Sequence, residues 1–301
     1  MNNNYLAIDI GGTNVKYGII NHSGELVFHK SAKTPQNKTE FLSLMSLIVK
    51  NNMTDIKGIG ISVPGKINVD TGMIYYGGAL PFLDKVNLKQ ELERNFNISV
   101  TVENDGKAGA LAELWLGTLK DVDNGAIIIL GTGIGGGIVL NHQLIHGSHY
   151  QAGELSYMNL KAGTKDQSYL VGYLGSSVHM IEKCASVLNL DDKHDGIAVF
   201  NAINQNDPRV TKIFSNYCDV IASIILNVQS VIDLKTFAIS GGISAQPIVI
   251  KEINQAYTRL LESNPLLKAQ LTFPNIVQAR FKNNANLYGA IYNFLLQNDL
   301  A

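Results

Sequence analysis

Leu6-Ala7-Ile8-Asp9-Ile10-Gly11-Gly12-Thr13-Asn14 joins an apolar run carrying one aspartate to two glycines, a hydroxyl and an amide, and a second apolar run, Val15 to Ile20, follows at once. This pattern predicts a strand, a tight glycine turn and a returning strand. Such a turn brings backbone N–H groups and the Thr13 hydroxyl toward an anion, while Asp9 stands where it can face a cation. Taken alone the stretch reads equally as a phosphate clamp or as an ordinary hairpin turn, since glycine turns are common in hairpins.

The bulk of the chain narrows the choice. It has 301 residues, 46% of them hydrophobic, enough for a sizeable core in two domains or one large one. A formal net charge of −1 offers no basic field for nucleic acid or an anionic membrane. Small-molecule partners are therefore expected. Met1-Asn2-Asn3-Asn4 carries no basic or apolar signal, and no apolar run approaches the ~18 residues needed to span a bilayer, so a cytoplasmic protein is expected. Cys184 and Cys218, the only cysteines, lie in apolar helix-like surroundings and read as buried reduced thiols; a disulfide framework or a four-cysteine zinc site is excluded by count.

Outward from the opening turn, Glu25 to His29 reads as a third strand, and Phe41, Leu44, Met45, Ile48 and Val49 recur at helical spacing. Gly58 to Val63 is a buried strand stopped by Pro64-Gly65. The segment Tyr75 to Asp84 has no periodicity and reads as a loop, with Tyr75 and Tyr76 favoured as core aromatics over a ligand wall. Ile98 to Val102 is a strand ending at Glu103-Asn104-Asp105, and a helix, Gly106 to Leu116, follows. A second cycle then starts. Ala126 to Leu130 is an apolar strand, Gly131 to Gly137 a glycine turn, Ile138 to Leu140 a returning strand, and the shift that carries Gly11 onto Gly131 carries Ile20-Asn21-His22 onto Leu140-Asn141-His142. A duplicated α/β unit accounts for this order. Helical stretches are expected at Gln167–Leu188, Asp195–Asn204, Val210–Ile232 and Ile248–Leu261. Strands are expected at Thr236–Ser240, before Gly241-Gly242, and at Ile276–Phe281, with a terminal helix at Leu287–Leu296. The expected domains are 1–119 and 120–284, with a C-terminal helix over about 285–301 packing back on the first.

Three motifs fail on context. Gly131-x-Gly133-x-x-Gly136 matches the dinucleotide fingerprint, but a β-like run follows it where a helix is required. Gly60 to Lys66 approaches a P-loop, but Ile67 replaces the Ser/Thr that magnesium needs. His142, His146 and His149 lie in a glycine-flanked loop with a carboxylate only at Glu154, so solvent-facing or cleft-lining histidines are favoured over a structural metal.

The remaining constellation describes a nucleotide site. Two glycine hairpins opening duplicated halves would face each other across a cleft, with Asp9 holding magnesium through water, because magnesium dehydrates reluctantly. Gly241-Gly242-Ile243 is placed either to pass under an adenosine or simply to lead into a helix. Asp105 reads as the N-cap of the following helix. Its place at a strand's C-terminal end also suits a base that takes a proton from a substrate hydroxyl, kept ionised by the helix dipole. Asn104 and Glu154 are then candidates to anchor other hydroxyls.

Asp9-Ile-Gly-Gly-Thr13, Ser62-Val-Pro-Gly65, Glu103-Asn-Asp105, Gly131-Thr-Gly-Ile-Gly-Gly136, Ala152-Gly-Glu154 and Ser240-Gly-Gly242, in this order, resemble the ROK family of repressors, open reading frames and sugar kinases. The resemblance extends to Ala285-Asn286-Leu287-Tyr288-Gly289-Ala290. It implies an actin-like, hexokinase-type (ribonuclease H-like) duplicated α/β fold with the active site between two domains, and ATP-dependent phosphorylation of a sugar hydroxyl, usually at C6. It further implies Asp105 as the base, with Gly65, Gly78, Asn104, Glu154 and Tyr157 about the sugar. Asp9, Gly11, Gly12, Thr13, Asn14, Lys16, Thr132, Gly133, Gly241 and Gly242 would surround MgATP, and a homodimer is implied. Where many members carry a Gly-His and a cysteine-rich zinc loop, this chain has Ser156-Tyr157 and no zinc cysteines, which resembles the zinc-free subset.

The expected activity is therefore phosphorylation of a glucose-type sugar or β-glucoside, the alternative being an N-acetylmannosamine or N-acetylglucosamine kinase, by family analogy. A sugar-responsive regulator would need a DNA-binding segment before the first hairpin, where eight residues precede Asp9, and a positive field. A binding-only protein would need Asp9 or Asp105 to be missing.

Overall fold

A computed structural model of the protein describes residues 3–301. It contains two compact units, one formed by Met1–Lys120, Leu144–Ala152 and Asn283–Ala301, the other by Asp121–Gln143 and Gly153–Lys282.

The first unit is built on strands β1 (Asn4–Ile10), β2 (Asn14–Asn21), β3 (Leu26–Lys33), β4 (Ile56–Val63) and β8 (Val100–Asn104). Their order is β3-β2-β1-β4-β8; β2 is antiparallel to its neighbours, and β4 and β8 run parallel to β1. Alternate residues face opposite sides of a strand. Leu6, Ile8, Ile10, Ile59, Ile61 and Val63 accordingly form one buried cluster with Phe41 and Met45 of α1 (Lys38–Asn51) and with Leu88 and Leu92 of α2 (Leu88–Phe96). The Asn37 side chain caps α1, its Oδ1 accepting from Glu40 N at 3.0 Å.

The opposite face belongs to the C-terminal helix, Ala285–Gln297, which also packs on α3 (Asp105–Leu116). Its residues Asn286, Ala290 and Phe294 are four apart and share one stripe. Phe294 lies against Gly58 and Ala290 against Gly60, alternate residues of β4, and Asn286 reaches Asp9 of β1, to which Ser62, the next alternate residue of β4, also bonds. A Cβ at Gly60 would collide with Ala290 O, and one at Gly289 with Ala108 O, so these glycines set the close approach of the helix to both neighbours. Phe294, buried with Tyr5, Ala7 and Ile291, anchors the stripe; its truncation to alanine costs about 3–5 kcal/mol.

A small antiparallel sheet, β5 (Lys66–Asn68), β6 (Met73–Tyr76) and β7 (Val86–Asn87), follows β4.

The second unit repeats the first sheet's strand order. β9 (Gly125–Leu130), β10 (Ile134–Leu140), β11 (Gln143–Leu144), β12 (Thr236–Gly241) and β13 (Asn275–Gln278) run β11-β10-β9-β12-β13, with β9 and β10 antiparallel and β12 and β13 parallel to β9. Helices α4 (Val171–Leu174), α5 (Ser177–Val187), α6 (Gly196–Asn204), α7 (Pro208–Ile232), α8 (Pro247–Glu262) and α9 (Pro265–Gln270) complete the unit. The core gathers Ile128, Leu130, Phe237 and Ile239 of the sheet with Phe214, Ile221 and Ile225 of α7 and Ile253 and Tyr257 of α8. Cys184 and Cys218 are free thiols inside it; burial pushes the Cys184 thiol up to about 11 and that of Cys218 further.

Three local expectations change. The stretch Gln167–Leu188 is a 3-10 turn and two helices, because Gly175 ends α4 and the Ser176 hydroxyl caps α5 through His179 N at 3.2 Å. Tyr75 and Tyr76 lie on a strand and are 48% and 59% exposed, outside the core. Asn104 caps α3, Oδ1 accepting from Lys107 N at 3.1 Å, and Asp105 is the helix's first residue. Among the described residues no helix is long and apolar enough to cross a membrane.

Candidate active site

In the first unit the parallel strands β1, β4 and β8 present their C-terminal ends along one edge, the position at which open α/β sheets hold ligands. Register aligns Lys16 with Asp9, Asp9 with Ser62, and Ser62 with Glu103, so a polar row crosses four strands of the sheet. Asp9 is the centre of that row. Its Oδ1 accepts from Ser62 Oγ at 3.2 Å and from Asn286 Nδ2 at 3.0 Å, while Oδ2 lies 3.9 Å from Lys16 Nζ, which also donates to Asn283 O at 2.9 Å. Burial holds the Asp9 carboxyl above its ordinary range, against the lowering effects of Asn286, Lys16 and Ser62.

Beyond Asp9 the chain turns through Gly11–Thr13. Gly11 N donates to Asn14 O at 3.0 Å, Thr34 N donates to Thr13 O at 3.0 Å, and Thr34 Oγ1 donates to Gly11 O at 2.7 Å. The turn is thus pinned from beneath, with Thr13 and Asn14 exposed at its crest.

At the end of β8, Asn104 organises the acceptor groups. Its Nδ2 donates to Gly65 O at 2.9 Å and to Asp105 Oδ1 at 3.0 Å, and Asp105 Oδ1 also accepts from Gly106 N at 2.8 Å. Asp105 therefore stands in the first turn of α3, where the dipole favours its negative charge. Gly65 (φ +106°) and Gly78 (φ +57°) adopt backbone forms that only glycine enters easily, and a Cβ at Gly65 would strike Tyr76 O. Asp9, Gly11–Asn14, Lys16, Gly65, Gly78, Asn104 and Asp105 are thus brought to one edge of one unit.

Glu103 continues the row. Its carboxylate is 0% exposed; Oε1 accepts from Asn104 N at 2.8 Å, and Oε2 lies 2.7 Å from His146 Nε2. His146 is half-buried against this carboxylate, and His142 Nε2 lies 2.7 Å from Asp123 Oδ1. Among the described residues no group of three or more His, Cys, Asp or Glu is arranged to hold a metal ion.

The other expected site residues belong to the second unit. Gly131 N donates to Gly133 O at 3.1 Å, and the backbone and hydroxyl of Ser177 both reach Gly131 O at 3.0 Å. Gly241 pairs with Leu130 in the β12–β9 register, which brings the Gly131–Gly133 turn beside Gly241-Gly242; Thr132 and Gly242 are exposed there. Gly241 has φ +102°, and a Cβ on it would collide with Leu130 O. Glu154 leads into the 3-10 turn Leu155–Tyr157. The Ser156 hydroxyl bonds both N and O of Ile134 at 3.0 Å and so props the glycine turn, while Tyr157 is 69% exposed.

Ser62, Asn286, Glu103 and His146 are partners whose roles sequence reasoning missed. Asn286 had a signal in the Ala285–Ala290 motif; His146 had only its place in the histidine-rich loop.

The repeated sheet and the polar strand ends define a mixed α/β protein of the actin-like ATPase class. The ROK family profile matches residues 5–296, and the chain belongs to the ROK family. It is 31% identical over 293 residues to a β-glucoside kinase of Listeria innocua, covering 96% of each chain. A ROK family protein of Streptococcus pneumoniae TIGR4, solved in complex with sucrose, superposes with a TM-score of 0.88 at 27% identity, covering 99% of this chain and 100% of that one. A ROK family glucokinase of Streptomyces griseus, solved with glucose and AMPPNP, shares the fold with a TM-score of 0.79 at 22% identity, over 95% and 97% of the two chains.

Proposed function

We propose that this protein is an ATP-dependent sugar kinase that transfers the γ-phosphoryl group of MgATP to a hydroxyl, the C6-OH, of a glucose-type sugar or β-glucoside. The observation that carries the reading is Asp105, held by Asn104 Nδ2 and Gly106 N at the start of α3 with Gly65 bonded to the same Asn104. In this reading Asp105 takes the proton of the attacking hydroxyl, and Asn104, Gly65 and Gly78, with Glu154 and Tyr157 of the second unit, hold the other hydroxyls. Fixing both the base and its neighbour by short bonds limits the reorganisation needed at the moment of transfer.

The Asp9 carboxylate fits magnesium held through water. Ser62 and Asn286 occupy Oδ1, Oδ2 has the Lys16 Nζ 3.9 Å away, and one carboxylate with phosphate oxygens and waters is how magnesium is commonly bound. When bound, the ion would neutralise charge on the phosphates. The Gly11–Asn14 turn and Lys16 would hold phosphate oxygens, and Thr132, Gly133, Gly241 and Gly242 the remainder of the nucleotide. Zinc is no part of this reading, and neither its chemistry nor its ligands enter it. The same reading includes a cytoplasmic homodimer, which light scattering on the purified protein checks.

Support comes from the names of relatives: besides the Listeria innocua protein, an N-acetyl-D-glucosamine kinase of Vibrio atlanticus is 26% identical over 304 residues. A coupled ATP assay over glucose, cellobiose, N-acetylglucosamine, N-acetylmannosamine, mannose and fructose tests the proposal. Turnover with glucose or cellobiose is expected; turnover with an N-acetylhexosamine alone moves the substrate to that class, and turnover with no sugar overturns the kinase reading.

A further inference from the structure

Next to the acceptor edge, within the same unit, three tyrosines are arranged in a way that the fold alone does not require. Lys66 pairs with Tyr76 and Ile67 with Ile74, so Tyr75 is an extra residue, a bulge in β6. A bulge re-aims side chains and often sits beside a functional site. Here it breaks the strand's alternation and leaves two consecutive large rings exposed, Tyr75 and Tyr76, with Lys66 Nζ 5.8 Å from the Tyr75 ring centroid.

The third ring arrives from Leu144–Ala152, the segment that joins this unit although its flanks belong to the other. Tyr150 has φ +59°, a conformation that is an outlier for a bulky residue, and its hydroxyl donates to Asp70 Oδ2 at 2.9 Å. Asp70 lies in the turn between β5 and β6, so this bond ties Tyr150 to the same hairpin that carries Tyr75 and Tyr76. Four residues earlier the same segment is fixed to Glu103 by His146. The segment therefore runs from the carboxylate that precedes Asn104-Asp105 to the tyrosines.

Backbone contacts connect the rings to the acceptor groups in the other direction. Tyr76 O packs on Gly65, whose own carbonyl accepts from Asn104 Nδ2, and that amide also reaches Asp105. In a β-glucopyranose C1 and C5 flank the ring oxygen and both O1 and C6 are equatorial, so when the C6-OH meets Asp105 a group attached at O1 leaves beside the base, toward the structure that adjoins Gly65 and Asn104. Exposed aromatic faces suit the apolar C–H face of a sugar or an aryl ring, and tyrosine adds a hydroxyl for polar contacts at little entropic cost.

We propose that Tyr75, Tyr76 and Tyr150 form a subsite for the second ring of a β-glucoside, a sugar or aryl group linked through O1 of the glucose unit that is phosphorylated. This rests on the sugar-kinase reading and assigns the preference for a β-glucoside over free glucose to named rings. Lys66, beside Tyr75, is placed to donate to hydroxyls of a second sugar.

The test is the ratio of kcat/KM for cellobiose, and for phenyl β-glucoside, to kcat/KM for glucose. It is measured in the wild-type chain, Tyr75→Ala, Tyr76→Ala and the conservative Tyr75→Phe, each checked for an unchanged melting profile. A favourable ring–ring contact is worth up to about tenfold, so each alanine variant is expected to lower both ratios by about 3- to 10-fold, while Tyr75→Phe keeps the phenyl β-glucoside ratio within about twofold of wild type. Ratios unmoved by both alanine variants, or wild-type turnover of glucose without either β-glucoside, overturn the subsite and leave the kinase reading in place. Wild-type turnover of no sugar at all overturns both.

Discussion

Removing the imidazole of His146 deprives the buried Glu103 carboxylate of its 2.7 Å partner. Leaving a buried polar group without its partner costs about 1–3 kcal/mol, and the partial exposure of His146, which lets water replace some of the loss, keeps His146→Ala to about 1.5–2 kcal/mol. For a chain of 301 residues that corresponds to a fall in Tm of about 2–3 °C. The functional consequence travels through Glu103. Its second oxygen holds Asn104 N, and Asn104 Nδ2 holds Asp105 Oδ1, so loosening Glu103 gives play to the proposed base. Misplacement of a reacting group by about 1 Å costs about 100-fold, and the expected fall in kcat is about 10- to 100-fold, with the KM for ATP within about twofold. His146→Gln keeps an N–H donor on a side chain of comparable reach and is expected to recover most of kcat. Initial rates with glucose and cellobiose, alongside thermal melting of the wild type and both variants, give the two readouts. A His146→Ala variant that melts with the wild type and turns over within about twofold of it would refute the coupling.

Asp105→Ala is expected to lower kcat by at least about 1000-fold while leaving binding of a fluorescent ATP analogue nearly intact; substantial retained turnover removes Asp105 as the base. For Asp9, whose folded-state carboxyl is held above its unfolded range by burial, the ionised form costs stability at neutral pH, and that cost fades as pH falls through the raised value. Asp9→Asn should therefore melt above wild type at pH 7, with the difference closing in acid, while activity drops about 100-fold; an equal or lower Tm at pH 7 contradicts this. Gly241→Ala forces a side chain onto φ +102° against Leu130 O and should cost about 1–3 kcal/mol from backbone strain alone, read by urea denaturation, whereas Gly242→Ala, with open space around it, should cost well under that. Titration with a thiol reagent should find neither Cys184 nor Cys218 reactive in the native chain and both reactive in urea, because burial keeps each protonated and enclosed.

The elements that were legible in the sequence are those whose signals are local. Leu6–Asn14 and Ala126–Gly137 announce strand, turn and strand by apolar runs broken at glycine, and the observed repeat of strand order follows the same logic. Asp105 was legible as a helix-start acid, but the cap passed to Asn104, because both residues are good caps and pattern alone does not separate neighbours. Met73–Tyr76 gave no strand period because the bulge at Tyr75 interrupts it, and α2 escaped because only Leu88 and Leu92 of its nine residues are buried. The site's supports lie far apart in the chain. His146 bonds Glu103 across 43 positions, and Asn286 bonds Asp9 across 277, and no local spacing encodes either pair. What placed Asn286 is a stripe on the C-terminal helix whose other members, Ala290 and Phe294, are fixed by the glycines of β4.

The two sheets share one strand order but differ in the chemistry at matching positions. Where β1 carries Asp9, paired with Lys16 on one side and Ser62 on the other, the corresponding register in the second unit has Ile129, paired with Gly135 and Ser240. The second unit therefore keeps the serine and loses both charges, and its strand ends at Gly131 and Gly241 offer backbone without a carboxylate. Asp9, Glu103 and Asp105 all stand at the strand ends of the first unit's sheet. The strand ends of the second unit are held instead by backbone and hydroxyl bonds, Ser177 reaching Gly131 O and Ser244 Oγ reaching Gly241 O, so the duplicated strand order is kept while the polar row that crosses the first sheet is not.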